Sequence, residues 1–145
     1  LRQIDVALED NPMGKVLIFT CNWCSYAGAD LAGTSRIQYP TNTRIVRTMC
    51  SGRVDADFVK HAYHLGAGAV MLTGCRPQDC HYISGNEFAL KREKKIRRWM
   101  KKNEIAKERF QIAWMSAAEG KKFADTVGRM SAIAQQVKAA AEKAA

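Results

Sequence analysis

The stretch that decides the fold is Lys15-Val-Leu-Ile-Phe-Thr-Cys-Asn-Trp-Cys24, an apolar run that ends in two cysteines. Two further predicted strands end in the same way, in Arg44-Ile-Val-Arg-Thr-Met-Cys50 and Ala69-Val-Met-Leu-Thr-Gly-Cys75, and Cys80 follows in the next loop. If these strands are parallel neighbours, all five thiols of the chain gather at one rim of one sheet. In open α/β sheets, sites form outside the carboxyl ends of the strands. The thiols therefore indicate a metal or redox site there.

Strands and helices alternate along the chain, which predicts βαβ units and a parallel sheet. The predicted elements are strands at Lys15–Thr20, Arg44–Met49, Ala69–Thr73 and Gln111–Met115, and helices at Tyr26–Gly33 and Ala56–Leu65. Two long helices open at Ser84-Gly-Asn-Glu87 and Ser116-Ala-Ala-Glu119, which have the spacing of capping boxes. Right-handed crossovers and a switch point favour the strand order 2-1-3-4. We therefore expect an α/β fold with a four-stranded, parallel, doubly wound, flavodoxin-like sheet and long C-terminal helices.

The length of 145 residues is that of one domain with a core of its own. Residues 1–14 are expected to form a weakly ordered or partner-dependent N-terminal arm, and residues 15–145 a single domain. No apolar run approaches the roughly 20 residues of a membrane span, and the first residues lack the pattern of a secretory signal. An odd cysteine count without a signal favours the reducing cytoplasm, where clustered cysteines more often bind metal than form disulfides.

The net charge of +9 is concentrated in one segment. Residues 86–109 hold ten Lys or Arg against four Glu, on a helix whose basic residues lie mostly opposite its apolar stripe. Binding of single-stranded nucleic acid would be favoured by interleaved exposed aromatic residues, which this segment lacks. An acidic protein partner is therefore a better interpretation than nucleic acid, and an ordinary solvated helix face is the alternative.

The spacing of the cysteines is typical of an iron–sulfur centre. Cys21 and Cys24 form a C-x2-C pair, and Cys75 and Cys80 have the C-x4-C spacing found in plant-type 2Fe–2S ferredoxins. Such clusters take four thiolates, and the two pairs supply four. Cys50 is a fifth thiol close by, which makes it an alternative ligand.

Two other interpretations remain open. A C-x-x-C sequence between a strand and a helix is also a thioredoxin-like motif, so Cys21 and Cys24 could serve a cytosolic thiol–disulfide oxidoreductase. That interpretation leaves three nearby thiols without a role. Four cysteines could instead hold zinc in a zinc-stabilised binding module, although zinc modules usually carry two C-x2-C knuckles and this chain has one. Haem c attachment requires C-x-x-C-H, which the chain lacks.

Longer motifs around the cysteines resemble a known family. They are Phe19-Thr-Cys-Asn-Trp-Cys-Ser-Tyr-Ala-Gly-Ala-Asp-Leu-Ala-Gly33, Arg47-Thr-Met-Cys-Ser-Gly-Arg-Val54, Gly74-Cys-Arg-Pro-Gln-Asp-Cys-His-Tyr82 and Trp114-Met-Ser-Ala-Ala-Glu-Gly120. Together they are similar to the delta subunit of methyl-viologen-reducing hydrogenase, over about residues 15 to 130. The resemblance includes every cysteine of the chain.

The resemblance implies a subunit with a 2Fe–2S cluster and no reaction of its own. By motif, its cofactor site would comprise Cys21, Cys24, Cys50, Cys75 and Cys80, with Cys21, Cys24, Cys75 and Cys80 as iron ligands and Cys50 as the alternative. The protein would act in a hetero-oligomeric complex of a methanogen or related anaerobe. There it would pass electrons from a hydrogenase small subunit, or from formate dehydrogenase, to the flavin subunit of heterodisulfide reductase for electron bifurcation.

Residues beside the cysteines are expected to tune such a centre. Bulky rings at Trp23 and Tyr82 would keep water away from it, and His81 adjoins a cysteine and suggests a supporting role. A positive charge at Arg76 or Arg53 would favour the reduced, more negative form of a cluster.

Overall fold

The computed structural model describes residues 1–145 and shows four parallel strands in one sheet. The strands are β1 (Val16–Cys21), β2 (Thr43–Thr48), β3 (Ala69–Gly74) and β4 (Phe110–Trp114). The helices are α1 (Arg2–Leu8), α2 (Ser25–Thr34), α3 (Ala56–His64), α4 (Gly85–Lys102) and α5 (Gly120–Ala144), none of them long and apolar enough to cross a membrane. The strand order β2-β1-β3-β4 and the parallel α/β architecture are confirmed.

The sheet carries a separate core on each face, because successive strand residues point to opposite faces. On one face, α1, α3 and α4 pack over Leu17, Phe19 and Val46. On the other, α2 and α5 pack over Val16, Ile18 and their neighbours. The central strands β1 and β3 are buried along their whole length, whereas β2 and β4 form the edges. Both faces of the central strands are therefore covered by helices, and their carboxyl rim is the part of the sheet where a site can form.

The N-terminal residues differ from the expected weakly ordered arm. Arg2–Leu8 form α1, and Ile4 and Leu8, which lie on one side of this helix, are buried in the core beside β1 and β2. His61 Nε2 lies 2.5 Å from Asp5 Oδ1, which joins α3 to α1. Residues 2–8 therefore form a helix packed against the sheet. The division of the chain at residue 14 stays a prediction.

Neither predicted capping box forms in full. Ser84 occupies the N-cap position of α4 without a side-chain cap hydrogen bond, and the second box forms only in part. The Glu119 carboxylate accepts the backbone N–H of Ser116 at 2.7 Å, as a capping box requires. The same carboxylate also binds the guanidinium of Arg76, with Nε 3.1 Å from Oε2. Glu119, rather than Ser116, is the N-cap residue, and α5 begins at Gly120. Glu119 thus ties the loop after β3 to the loop after β4.

Candidate metal centre

The five cysteines meet at the carboxyl rim of the sheet, as the sequence predicts. Each is buried and unpaired, and together they form one cluster of contacting side chains. Their places are the end of β1 for Cys21, the start of α2 for Cys24, the end of β2 for Cys50, and the loop between β3 and α4 for Cys75 and Cys80. Five side chains from three parallel strands therefore share one small volume.

Three of the sulfurs form a compact triad. The Sγ atoms of Cys21, Cys24 and Cys75 all lie within 4.8 Å of one another. The Cys24 and Cys75 sulfurs are 2.9 Å apart, and the Cys21 and Cys75 sulfurs are 3.8 Å apart. The triad contains three of the four predicted iron ligands.

Cys50 and Cys80 form a pair beside Gly85, the first residue of α4. A Cβ atom built on Gly85 would overlap Cys50 Sγ and would lie 3.1 Å from Cys80 Sγ. Cys80, predicted as a ligand together with the triad, thus lies against Cys50, the predicted spare thiol. Glycine at this position leaves room for both sulfurs.

Two buried polar side chains hold the cysteine loops in place. Ser25 Oγ accepts the backbone N–H of Cys21 at 2.8 Å and donates to its carbonyl at 3.3 Å, which closes the C-x2-C turn. Asn86 Nδ2 donates to the carbonyls of Arg76 at 2.9 Å and Cys75 at 3.5 Å. Each loop is therefore fixed by a residue at the start of the helix that follows it.

The C-x2-C pair holds its two thiols in different protonation states. A hydrogen bond from Cys24 lowers the pKa of Cys21 to about 5, and the N–H groups of Trp23 and Ser51 add to this effect against the opposing influence of burial. The same hydrogen bond, together with burial, raises the pKa of Cys24. Cys21 is therefore the thiolate of the pair, and the thiolate is the form that binds metal.

Cys80 is the second thiol with a lowered pKa. Burial raises the pKa of Cys80, but the backbone N–H groups of Tyr82, Asn86 and Gly85 outweigh it and bring the value below the ordinary one. Burial instead raises the pKa of Cys75. Backbone N–H groups close to a sulfur favour its thiolate form.

The donor set fits a metal bound by thiolates. All five side chains in the cluster are cysteines, and soft thiolate ligands select iron–sulfur clusters, zinc or Cu(I). Histidine adds no ligand: His61 binds Asp5, and the His64 ring contacts Trp99 with centroids 5.4 Å apart. Four thiolates are available for a four-coordinate group, and one thiol is left over.

Three aromatic rings connect the two cysteine loops at the surface. The Trp23 ring stacks on His81 with centroids 3.7 Å apart, and its Nε1 donates to the Tyr82 hydroxyl at 3.2 Å. The rings of Trp23 and Tyr82 remain 43% and 46% exposed, so they shield the thiols only in part. The His81 ring contacts aromatic neighbours. Burial raises the pKa of Cys75, and the backbone N–H of His81, rather than its ring, opposes that rise.

The structure also changes the expected role of Arg76. Its guanidinium pairs with Glu119 through two hydrogen bonds, so most of its positive charge is compensated beside the thiols. Arg53 is exposed and makes no ion pair. Arg76 therefore acts as a tie between loops, and Arg53 is the residue with an uncompensated charge.

The sequence analysis did not identify two glycines, Gly52 and Gly85, that allow close packing beside Cys50 and Cys80. A Cβ atom on Gly52 would lie 2.7 Å from the carbonyl oxygen of Gly85, and Gly85 itself faces the sulfurs of Cys50 and Cys80. The available signal was the dipeptide Ser-Gly, which occurs at 51–52 and again at 84–85, close to a cysteine each time. The reason for the two glycines is visible only in the structure, where the start of α4 packs against residues 51–53.

Comparison with known proteins identifies the family. Residues 16–138, a range that contains all five cysteines, match the family described as methyl-viologen-reducing hydrogenase, delta subunit. The chain belongs to this family. The resemblance inferred from the cysteine motifs is thus confirmed.

Individual relatives of this delta-subunit chain fall into two kinds, of which the first is of similar length. The chain is 44% identical over 116 residues to the vhc iron-sulfur subunit of the F420-non-reducing hydrogenase of Methanococcus voltae, covering 80% of this chain and 81% of that protein. It is 38% identical over 123 residues to the iron-sulfur subunit of the F420-non-reducing hydrogenase of Archaeoglobus profundus, covering 85% and 90% respectively.

The second kind of relative is much longer than this delta-subunit chain. A subunit of the ferredoxin:CoB-CoM heterodisulfide reductase of Methanosarcina mazei is 49% identical over 112 residues, which are 77% of this chain and 14% of that protein. The chain therefore spans about one seventh of this relative. The family therefore occurs both as a hydrogenase subunit and as a segment of a heterodisulfide reductase subunit.

Proposed function

We propose that this protein is an electron-transfer subunit that carries one 2Fe–2S cluster at its cysteine rim. It relays electrons from a hydrogenase small subunit, or from formate dehydrogenase, to the flavin subunit of heterodisulfide reductase, where they serve electron bifurcation. The observation that carries the proposal is the gathering of five buried, unpaired cysteines at one rim in a chain whose relatives are named iron–sulfur subunits. A bound cluster would supply one-electron transfer, and the chain itself performs no bond chemistry.

The proposed ligands are Cys21, Cys24, Cys75 and Cys80, with Cys50 as the fifth thiol. The compact triad supports the first three, because its sulfurs already lie within 4.8 Å of one another. The C-x4-C spacing from Cys75 supports Cys80, rather than Cys50, as the fourth ligand. The two sulfurs lie side by side at Gly85, so a matched pair of variants decides between them.

The remaining residues would position the sulfurs and stabilise negative charge on them. Ser25 and Asn86 fix the two loops that carry Cys21 and Cys24, and Cys75 and Cys80. Backbone N–H groups that donate to sulfur stabilise the more negative, reduced state of a cluster and so raise its reduction potential. The partly exposed rings of Trp23 and Tyr82 leave the centre near the surface, where a partner can approach it.

Alanine substitution of single cysteines tests the ligand set. We expect Cys75→Ala and Cys80→Ala to abolish the visible absorption of the cluster and its iron and acid-labile sulfide, whereas Cys50→Ala retains them. Far-UV circular dichroism of each variant separates ligand loss from misfolding. If Cys50→Ala loses the cluster and Cys80→Ala keeps it, the fourth ligand is Cys50. If Cys75→Ala keeps it, the triad is not the core of the site.

A second candidate function is a thiol–disulfide oxidoreductase, favoured by the pKa of about 5 at Cys21 beside the raised pKa of Cys24. An attacking thiolate next to a neutral thiol is typical of redox-active C-x-x-C pairs. A reversible Cys21–Cys24 disulfide in a metal-free chain would favour this function over the cluster. Stoichiometric zinc without sulfide would instead identify a zinc-stabilised binding module.

A further inference from the structure

A large groove lies away from the cysteines, around the edge strand β2. It has a volume of about 810 Å³ and runs between α1 and the start of α2. β2 pairs with β1 on one side only, so the groove follows the free edge of the sheet. An unpaired strand edge presents N–H and C=O groups that can pair with another extended segment.

Three arginines line this groove without a carboxylate to balance them. Arg2 comes from α1, and Arg44 and Arg47 come from β2. None of the three belongs to an ion pair, and no Asp or Glu lines the groove. The groove is therefore a concentration of positive charge, complementary to an acidic occupant.

The two β2 arginines lie on opposite faces of the sheet. Val46 packs into the core under α1 and Ile45 packs into the core under α2, so alternation along the strand places Arg44 on the α1 face and Arg47 on the α2 face. Contacts hold both side chains in place. Arg44 donates to the Thr43 carbonyl at 2.9 Å, and the Arg47 guanidinium lies 4.6 Å from the centre of the Tyr26 ring. A strand added at this edge would likewise send successive side chains to the two faces.

We propose that the free edge of β2 binds an acidic, extended segment of a partner protein, which adds to the sheet as a fifth strand. Backbone hydrogen bonds to β2 provide affinity, as in other cases of strand addition. Carboxylates three residues apart in the segment reach Arg44 on one face and Arg47 on the other. Arg2 of α1 adds a third cation beside Arg44.

The edge is connected to the cysteine rim through one side-chain hydrogen bond. Arg47 Nε donates to Asn22 Oδ1 at 2.6 Å, and Asn22 lies inside the C-x2-C turn. A partner bound along β2 is thus held beside the centre. The proposal uses none of the five cysteines, so it can fail without affecting the proposed function.

Fluorescence anisotropy with a labelled peptide tests the docking edge. The protein is the full chain, purified anaerobically with its metal, and the probe is a peptide containing Thr-Glu-Val-Val-Glu-Thr. The matched control peptide contains Thr-Gln-Val-Val-Gln-Thr. We expect the acidic peptide to bind at least tenfold more tightly, with an affinity that falls as salt rises. Hydrogen exchange of the amides in residues 43–48 should slow when it binds.

Charge-removing variants locate the binding. Arg44→Gln and Arg47→Gln should each weaken the acidic peptide about threefold, and the double variant roughly tenfold. The double variant Lys101→Gln/Lys102→Gln removes the same charge from α4 and should leave binding unchanged.

Four results would overturn the proposed binding at the β2 edge. Equal binding of the two peptides, or no binding of either, would mean that the arginines only protect the strand edge from unwanted pairing. An equal loss with the α4 variant would indicate attraction by net charge alone. Displacement of the peptide by millimolar inorganic phosphate would assign the arginines to a small-anion site instead.

Discussion

Replacing Gly85 by alanine tests whether the glycine at the start of α4 is what makes room for two sulfurs. The new Cβ would overlap Cys50 Sγ and lie 3.1 Å from Cys80 Sγ. Gly85 has no positive φ, so alanine faces no backbone strain there, and helix propensity alone would favour it by about 1 kcal/mol. Overpacking of a filled site costs about 1–3 kcal/mol, which outweighs that gain.

Gly128 provides the matched control, because it lies within α5 and a Cβ there would have no neighbour within 4 Å. Gly128→Ala is expected to stabilise the protein by up to about 1 kcal/mol. For a chain of this size, 1 kcal/mol corresponds to a shift of about 3 °C in the melting temperature. The overpacking cost of about 1–3 kcal/mol should therefore lower the melting temperature of Gly85→Ala by roughly 3–9 °C relative to that of Gly128→Ala. Thermal unfolding followed by circular dichroism under anaerobic conditions measures the difference.

A double-mutant cycle shows whether the cost arises at the sulfur. In a Cys50→Ala background the overlapping Sγ atom is absent, so Gly85→Ala should lose most of its penalty. Equal melting temperatures for Gly85→Ala and Gly128→Ala would refute the close packing of α4 on the cysteine pair. An undiminished penalty in the Cys50→Ala background would place the strain elsewhere.

Two further predictions concern the loops that hold the site. The Arg76 guanidinium, together with the Ser116 N–H and Lys122, lowers the pKa of Glu119 from its ordinary 4.5 to about 2. The Arg76–Glu119 ion pair therefore contributes stability above about pH 4.5 that is lost as the pH falls towards 2. Arg76→Gln should therefore reduce the difference between the free energies of unfolding measured in urea at pH 6 and pH 3; an unchanged difference would contradict the pairing. Ser25→Ala leaves the buried Cys21 N–H without a partner and should cost about 1–3 kcal/mol in urea unfolding, whereas the exposed Ser35→Ala should be neutral.

Much of the fold follows from local patterns that the sequence displays directly. The apolar runs of β1 and β3 predict buried central strands, and the turn and cap residues between them separate the elements. The strand order follows from chain connectivity, since right-handed crossovers leave few arrangements. The helix at residues 2–8 does not follow from the sequence, because its apolar spacing is short and a helix of seven residues is stabilised by tertiary packing rather than by its own propensity.

The site could be predicted as a set of residues but not as a geometry. Strand ends place Cys21, Cys50 and Cys75 on one rim without reference to any side-chain contact. The division into a triad and a pair depends on how the loop after β3 folds back, which is set by Asn86 and by the close approach of Gly85. Such long-range contacts leave no periodic signal in the sequence.

Iron and acid-labile sulfide analysis of the full chain, purified without exposure to oxygen, tests the central claim most directly. A 2Fe–2S centre held by the cysteine rim predicts two iron atoms and two sulfides per chain, with visible absorption that bleaches on one-electron reduction. Stoichiometric zinc without sulfide would contradict the account, and so would a metal-free chain whose Cys21 and Cys24 form a reversible disulfide.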